Sequence, residues 1–400
     1  MPRPYHEIAI PLLIGILAII VLMRVLWEAP LSCVHTLFLI QGDTSKSDQF
    51  SYHHVIEQLQ WISEFSKNKS DLSFGKVPSI YFDRKIIYHP TSSDGCRYKC
   101  HFPRGHVNLS KGDGVVFSSQ FSPNEAVKLR KKGVLIAFES GECPFLMPSL
   151  EEPHLSQIDM FISFMAASPV PYIYSVFVRN VKPRYKFSEF EKAQMIARNS
   201  THLLPPFHRS RDKLIAWVVS NHHPTNNRNE FAKAISKFVE VDIYGRGNLE
   251  LVENAHPFQW LSKRYKFYLA FENSNCRNYI TEKAFINALR NDMVPIVLGA
   301  YKEDYENTLP PHSYINVDDF KSIRQLADYL IYLSKNDTSY ASYFSWKEHG
   351  KIVTINRPDC RLCGFMYHLN AGKINFPKSN FGYFTNSKLA CFNRALLPLQ

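Results

Sequence analysis

Between Tyr265 and Leu289 the sequence passes from strand to loop to helix in one short span, and the rest of the chain has to fold around that unit. Phe267 to Phe271 is an apolar, aromatic run of strand length. Glu272 to Tyr279 is polar and forms the loop at the strand's C-terminal edge. Thr281 caps the helix that follows, whose apolar residues are Phe285, Ile286 and Leu289. Lys283 then falls in the first helical turn, where the helix dipole is positive and a lysine is unfavourable unless an anion offsets it. A phosphate docked at the helix N-terminus would be such an anion. The plain alternative is a solvated lysine near a helix start.

The same alternation extends in both directions. A first domain spans residues 76–205. Its strands are read at Ser79–Phe82, Ile86–Tyr88, Val115–Phe117, Val134–Phe138 and Asp159–Phe164, and its helices at Glu125–Lys132 and Ser188–Arg198. Val134–Phe138 is continuously apolar, as expected of a strand covered on both faces, and it ends at Glu139. Pro205-Pro206 marks a linker. A second domain, 206–363, has strands at Leu214–Val219, Val239–Tyr244, Phe267–Phe271, Val294–Leu298 and Tyr314–Val317, with helices at Glu230–Phe238 and Ser322–Leu333. Strand–helix alternation predicts an α/β fold with parallel sheets. Ligands of such sheets sit beyond the strands' C-terminal ends. Here those ends carry Ser220-Asn221, Tyr244-Gly245-Arg246, Glu272-Asn273 and the Thr281 helix start, a polar face suited to a nucleotide diphosphate. Residues 364–400 form an aromatic, basic tail that yields no reading.

The N-terminus bears on compartment. Residues 1–7 read as a cytosolic tail and 8–27 as a transmembrane signal anchor, because Ile8 to Met23 carries no charge and Arg24 can snorkel at the end. The rival is a cleaved signal peptide; the long apolar core without a small-residue cleavage site favours the anchor. Residues 28–75 read as a polar stem, with an amphipathic helix over His54–Phe65. The net charge of +11 has no nucleic-acid-binding signature beside it, so nucleic acid is not expected as a partner. Eight cysteines in a secretory setting permit disulfides. Cys96 and Cys100 form one close pair and Cys360 and Cys363 another; the four are candidates for bridges ahead of a zinc site. Glycosylation sequons stand at Asn68, Asn108, Asn199 and Asn336. No Asp-x-Asp motif ends a strand in the second domain, so no metal site and no obligatory cofactor are expected; a divalent ion, Mn2+ or Mg2+, would at most stimulate.

Tyr265-Lys-Phe-Tyr-Leu-Ala-Phe-Glu-Asn-Ser274 and Asn278-Tyr-Ile-Thr-Glu-Lys283 resemble, nearly letter for letter, the donor-site motif of the α1,3/α1,4-fucosyltransferases of glycosyltransferase family 10. Trp217–Asn221, Arg228, Val241–Arg246, Val294–Gly299 and Val317–Phe320 are similar to the same family. The resemblance implies the GT-B architecture, two Rossmann-like domains facing across a cleft. It also implies a single-pass type II Golgi membrane protein with a lumenal catalytic part. The implied activity is inverting transfer of L-fucose from GDP-fucose to N-acetylglucosamine of glycoprotein or glycolipid glycans. Carried over by position, Arg228 and Lys283 would neutralise the diphosphate. Glu272, Asn273 and Glu282 would hold fucose or ribose. Ser220, Asn221, Tyr244 and Tyr279 would line the donor pocket. Fixed cations matter because negative charge grows on the leaving diphosphate.

Inversion also needs a base for the acceptor hydroxyl. Phe138-Glu139-Ser140 matches the family's base setting, with Gly141 in place of the usual proline, so Glu139 is the catalytic candidate and Glu142 its nearby competitor. The family's cysteine pattern implies Cys96 with Cys360 and Cys100 with Cys363; the crossed pairing stays open. One departure stands out. Ile162–Pro171 replaces a polar acceptor-side motif with an apolar one, and Ser118-Ser119 replaces a His-His. A lumenal GDP-fucose- or glycan-binding homologue with impaired catalysis is therefore the alternative to an active enzyme.

Overall fold

Continuous apolar runs become the inner strands of two parallel sheets in the computed structural model. It describes residues 53–400 apart from 67–71, 73, 84–90, 119, 148–149, 181–186, 253–255, 355–356 and 375–381. The proposed tail and anchor at 1–27, most of the stem, the Ile86–Tyr88 strand and the Asn68 sequon fall outside the described residues. No helix among the described residues is long and apolar enough to cross a membrane.

The first sheet holds β1 (Ile80–Phe82), β2 (Gly114–Ser118), β3 (Leu135–Ser140) and β4 (Met160–Ser163), in that order and all parallel. Every residue of β2 and β4 is buried, which accounts for their unbroken apolar character. β5 (Val176–Arg179) leaves this sheet. The second sheet is built from β6 (Lys213–Val218), β7 (Val241–Tyr244), β8 (Tyr265–Phe271), β9 (Val294–Leu298) and β10 (Ile315–Asn316). Their order is β10-β9-β8-β6-β7, again all parallel. β8, the strand of the opening motif, is central. β11 (Gly350–Val353) returns to pair antiparallel with β5, a two-stranded sheet not expected from the local pattern.

Helices cover both faces of the second sheet. Ile215, Phe267, Leu269 and Ile296 meet the helices Arg228–Ile235 and Ile323–Lys335 on one side. Ala216, Tyr268, Ala270 and Val297 meet the turn at Lys283–Ala288 on the other. Cys276 and Tyr279, from the loop after β8, instead join a cluster that contains Phe117, Phe138 and Phe161 of the first sheet. The loop at the head of the central strand is therefore packed onto the other half of the molecule.

The amino-terminal end differs from the stem reading. His53–Gln58 is helical and continues as a tight turn over Leu59–Trp61. Val55, Leu59 and Ile62 are buried. Gln58 donates to Pro169 O (2.7 Å) and accepts from the fully buried Arg361 (3.1 Å). An apolar stripe this complete needs a partner, and the helix Pro358–Asn370 supplies it, its Gly364 lying against the Trp61 ring. That helix carries the late cysteines. Cys96 is bridged to Cys360 and Cys100 to Cys363, and a third bridge, Cys276 to Cys391, was not anticipated. Cys143 is a buried free thiol.

Candidate active site

Glu272 ends β8 and is 1 % exposed. A buried carboxylate must be paired and hydrogen-bonded. One oxygen accepts from Thr281 N at 2.8 Å, and the other from Lys283 Nζ at 2.9 Å. The Thr281 hydroxyl lies within 3.0 Å of both. Thr281 thus serves the strand end rather than capping the helix. The following turn, Lys283–Ala288, is π-helical, a wider coil than the α-helix expected from the spacing.

The Lys283 ammonium donates to Glu272, to Thr281 Oγ1 (2.7 Å) and to Glu282 (3.2 Å). Three protons have three partners. Burial works against this cation, but Glu272 and Glu282 outweigh it and hold its pKa above the ordinary range. Burial pushes the Glu272 carboxyl up, with Lys283 and the Thr281 amide opposing. The anion that offsets the lysine at the turn's start is thus supplied by the chain's own carboxylates. Only glycine fits beside this pair: at Gly299 (φ +146°) a Cβ would stand 2.6 Å from Glu272 Cβ.

Arg228 opens the helix Arg228–Ile235 and is 3 % exposed. It donates to Phe271 O (3.1 Å) and to Asn221 O (2.6 Å), tying the ends of β8 and β6 together. Its guanidinium faces Trp217 at 5.8 Å, and its Nε is buried without a hydrogen-bond partner. Burial lowers its pKa and the Glu272 charge opposes that shift. Asn273 O accepts from Thr225 N at 2.8 Å, and Ser220 is exposed at the same edge.

Glu272, Asn273, Glu282, Lys283, Arg228, Asn221 and Ser220 are therefore gathered at one end of the second sheet. Tyr244 is not among them in the same sense. Its backbone accepts from Val219 N (2.9 Å), but its hydroxyl is paired with Tyr265 at 2.7 Å, inside the sheet. Tyr279 turns to the first half and donates to Glu142 at 2.9 Å.

Glu139 lies within β3, one residue inside its end, and is 2 % exposed. It is flanked in register by Ser118 of β2 and Ile162 of β4, and it accepts from Ser118 Oγ at 3.1 Å. Glu142 is exposed beyond the turn and is the carboxylate that touches the loop after β8. Ile162–Pro171 is largely buried. Its Ala166 N donates to Asn278 Oδ1 (3.1 Å), and Phe164 packs on Tyr279 at 5.0 Å between ring centres. Cys143 Sγ donates to Ser274 Oγ at 3.1 Å.

Tyr174 also belongs here and was missed. Its hydroxyl lies 3.4 Å from Gly141 O, and burial pushes its pKa up, with Glu282, Glu142 and Glu272 adding to the effect. The only sign of it was the Tyr-Ile-Tyr alternation at 172–174. Among the described residues no group of three or more His, Cys, Asp or Glu is placed to hold a metal ion. Of the sequons, Asn108 and Asn199 are exposed, while Asn336 is half-buried and caps the helix Asp337–Ala341.

Residues 208–376 match the family model described as glycosyltransferase family 10 (fucosyltransferase), C-terminal part. Every member of the β8 cluster lies inside that stretch. The chain is 46 % identical over 162 residues to glycoprotein 3-alpha-L-fucosyltransferase A of Drosophila melanogaster, covering 40 % of this chain and 32 % of that one. It is 46 % identical over 145 residues to 4-galactosyl-N-acetylglucosaminide 3-alpha-L-fucosyltransferase FUT6 of Homo sapiens, covering 36 % of this chain and 40 % of that one. The aligned stretch thus spans 32 % to 40 % of these relatives' own length. A crystal structure of an alpha1,3-fucosyltransferase with GDP superposes at a TM-score of 0.46 with 20 % identity, over 73 % of this chain and 87 % of that one.

Proposed function

We propose that this chain is a fucosyltransferase that moves L-fucose from GDP-fucose, in α1,3 linkage and with inversion, onto N-acetylglucosamine of glycoprotein or glycolipid glycans. The observation that carries the reading is the Glu272–Thr281–Lys283–Glu282 cluster. It sits at the head of a central parallel strand, inside the stretch that matches a fucosyltransferase family model. Two parallel sheets joined through the 272–281 loop support a GT-B arrangement with the donor on the second half. Residues 8–27 would anchor the protein in the Golgi membrane with the described part in the lumen.

The geometry suggests how a diphosphate is received. Of the three partners of Lys283, Glu282 is the farthest, and its side chain is 41 % exposed. A phosphate oxygen arriving at Lys283 displaces Glu282 first and leaves it for hydroxyls of the sugar. Arg228 stands behind, its guanidinium fixed by two carbonyls and its Nε unpartnered. Preorganised cations of this kind stabilise the charge that develops as the sugar–phosphate bond breaks. Glu139 then takes the acceptor's proton. No step needs a metal; Mn2+ or Mg2+ is expected at most to stimulate.

Incubating the chain with GDP-fucose and a glycan panel tests the reading. Transfer to N-acetylglucosamine-bearing glycans is expected, with GDP bound in preference to UDP. Glu139→Gln should lower transfer by at least about 10²-fold, the low end of general-base contributions, with GDP affinity unchanged. A dead Glu142→Gln beside an active Glu139→Gln would reassign the base to Glu142, which the contact with Tyr279 makes the specific rival. The second reading, a donor-binding protein without transfer, draws on the buried apolar course of Ile162–Pro171. GDP binding without any transfer would select it.

A further inference from the structure

Residues 382–400 lie beyond the stretch that matches the family model, yet they run along the back of the 272–281 loop. Cys391 is bridged to Cys276 within the loop. Arg277 N donates to Ala390 O (2.7 Å), and Phe392 N donates to Asn275 O (2.9 Å), so the tail adds main-chain bonds on both sides of the bridge. Arg394, 8 % exposed, is the focus. It donates to Asn275 Oδ1 (3.0 Å), to Gly299 O (3.4 Å) and to Ala300 O (3.1 Å), and it pairs with Asp318 at 2.8 Å. Phe392 packs on Tyr301 at 4.1 Å.

These contacts converge on the two backbone segments that flank Glu272. Gly299 leaves no room for a side chain beside Glu272, so a shift of that strand end moves the carboxylate with it. Asn275 in turn accepts from Asn226 (2.9 Å), whose amide also reaches Glu272 O (3.0 Å). A single guanidinium thus ties together the backbone segments on either side of the carboxylate that pairs with Lys283. Five N–H donors in a rigid plane suit that task, and a lysine could not span the same set.

We propose that the tail 382–400 is a positioning element for the nucleoside-diphosphate site, with Arg394 as its positioning residue and the Cys276–Cys391 bridge as its tether. The inference rests on the donor reading above. GDP titration and amide hydrogen exchange on the full chain test it, comparing wild type with Arg394→Ala and Arg394→Lys.

Arg394→Ala should weaken GDP binding by at least about 10-fold, since small misplacements of binding groups have effects of that order. Exchange should rise in 272–281 and 299–301, while β6 and the helix Ile323–Lys335 keep their protection. Arg394→Lys should fall between the two. Unchanged GDP affinity in Arg394→Ala, or loosening spread evenly over the whole second half, would overturn the proposal. Should Arg394→Ala not fold, the Cys276→Ser/Cys391→Ser chain goes through the same two measurements under the same criteria. Should wild type bind no GDP, the donor reading falls. The exchange pattern alone then decides whether the tail orders the loop.

Discussion

Lys283 and Glu272 hold each other in place, and neither tolerates the loss of the other. Glu272 is 1 % exposed, so Lys283→Met leaves a buried carboxylate facing a methyl group. Breaking a buried pair from one side is destabilising by about 3–5 kcal/mol. Lys283→Met/Glu272→Gln removes both charges and should recover most of that loss, because the amide can still accept from Thr281. Urea unfolding of the four chains of the cycle measures the coupling. A double variant as unstable as Lys283→Met alone would show that the pair does not act as a unit.

Asp304 offers a second test at this scale. It accepts from Asn278 N at 2.8 Å and stands 3.4 Å from Arg277. Burial outweighs these partners and pushes its carboxyl from 3.8 up to about 6. The folded chain therefore holds this proton more tightly than the unfolded one. The stability Asp304 contributes is full below the unfolded value and is lost as pH rises through the folded one. A shift of that size is on the order of 3 kcal/mol. The melting temperature of wild type should accordingly fall relative to that of Asp304→Asn as pH rises from about 4 to 6.

At the scale of elements, the amino-terminal helix His53–Gln58 is part of the folded body. A chain beginning at residue 76 loses Val55, Leu59 and Ile62 from the core and removes Gln58 from the buried Arg361. Removing three buried apolar side chains at about 1.5–3 kcal/mol each is comparable with the whole stability of a typical domain. Such a chain should melt far below one that begins at 50, or fail to fold; equal melting would refute the packing described.

How far such elements could be read from sequence depended on the reach of their contacts. β8 and its loop were legible because a local run of apolar residues, a polar turn and Lys283 sit within one short span. β9 and the helix from Ser322 were legible for the same reason. The β5–β11 pair was not, since Val176–Arg179 finds its register only with Gly350–Val353, far downstream. The π-helical turn was not either: its apolar spacing fits an α-helix equally well. The tail was illegible because Arg394 and Cys391 have meaning only beside Gly299, Asp318 and Cys276. Tyr279 was placed by motif in the donor pocket, but its hydroxyl answers to Glu142, a contact no periodicity encodes.

At the scale of the whole molecule, three bridges among the described residues enclose separations of 264, 263 and 115 residues. Loop-closure entropy gives long bridges roughly 5–6 kcal/mol each, although measured gains fall short of this when the native state is distorted. Non-reducing peptide mapping should recover these three pairs and an alkylatable thiol at Cys143 only after unfolding. A Cys96–Cys363 peptide would refute the register of the helix Pro358–Asn370 against the first half.

The two longest bridges also impose an order on biosynthesis. Cys96 and Cys100 leave the ribosome when neither partner has been translated, and the partners arrive together on one helix, 264 and 263 residues later. Until then the early pair has only itself or a wrong thiol to react with. The nascent first half must therefore wait, reduced and open to chaperones, and both closures become post-translational events. Alkylation of chains stalled at residue 340 should label both early cysteines, and completed chains should lose both labels in a single step.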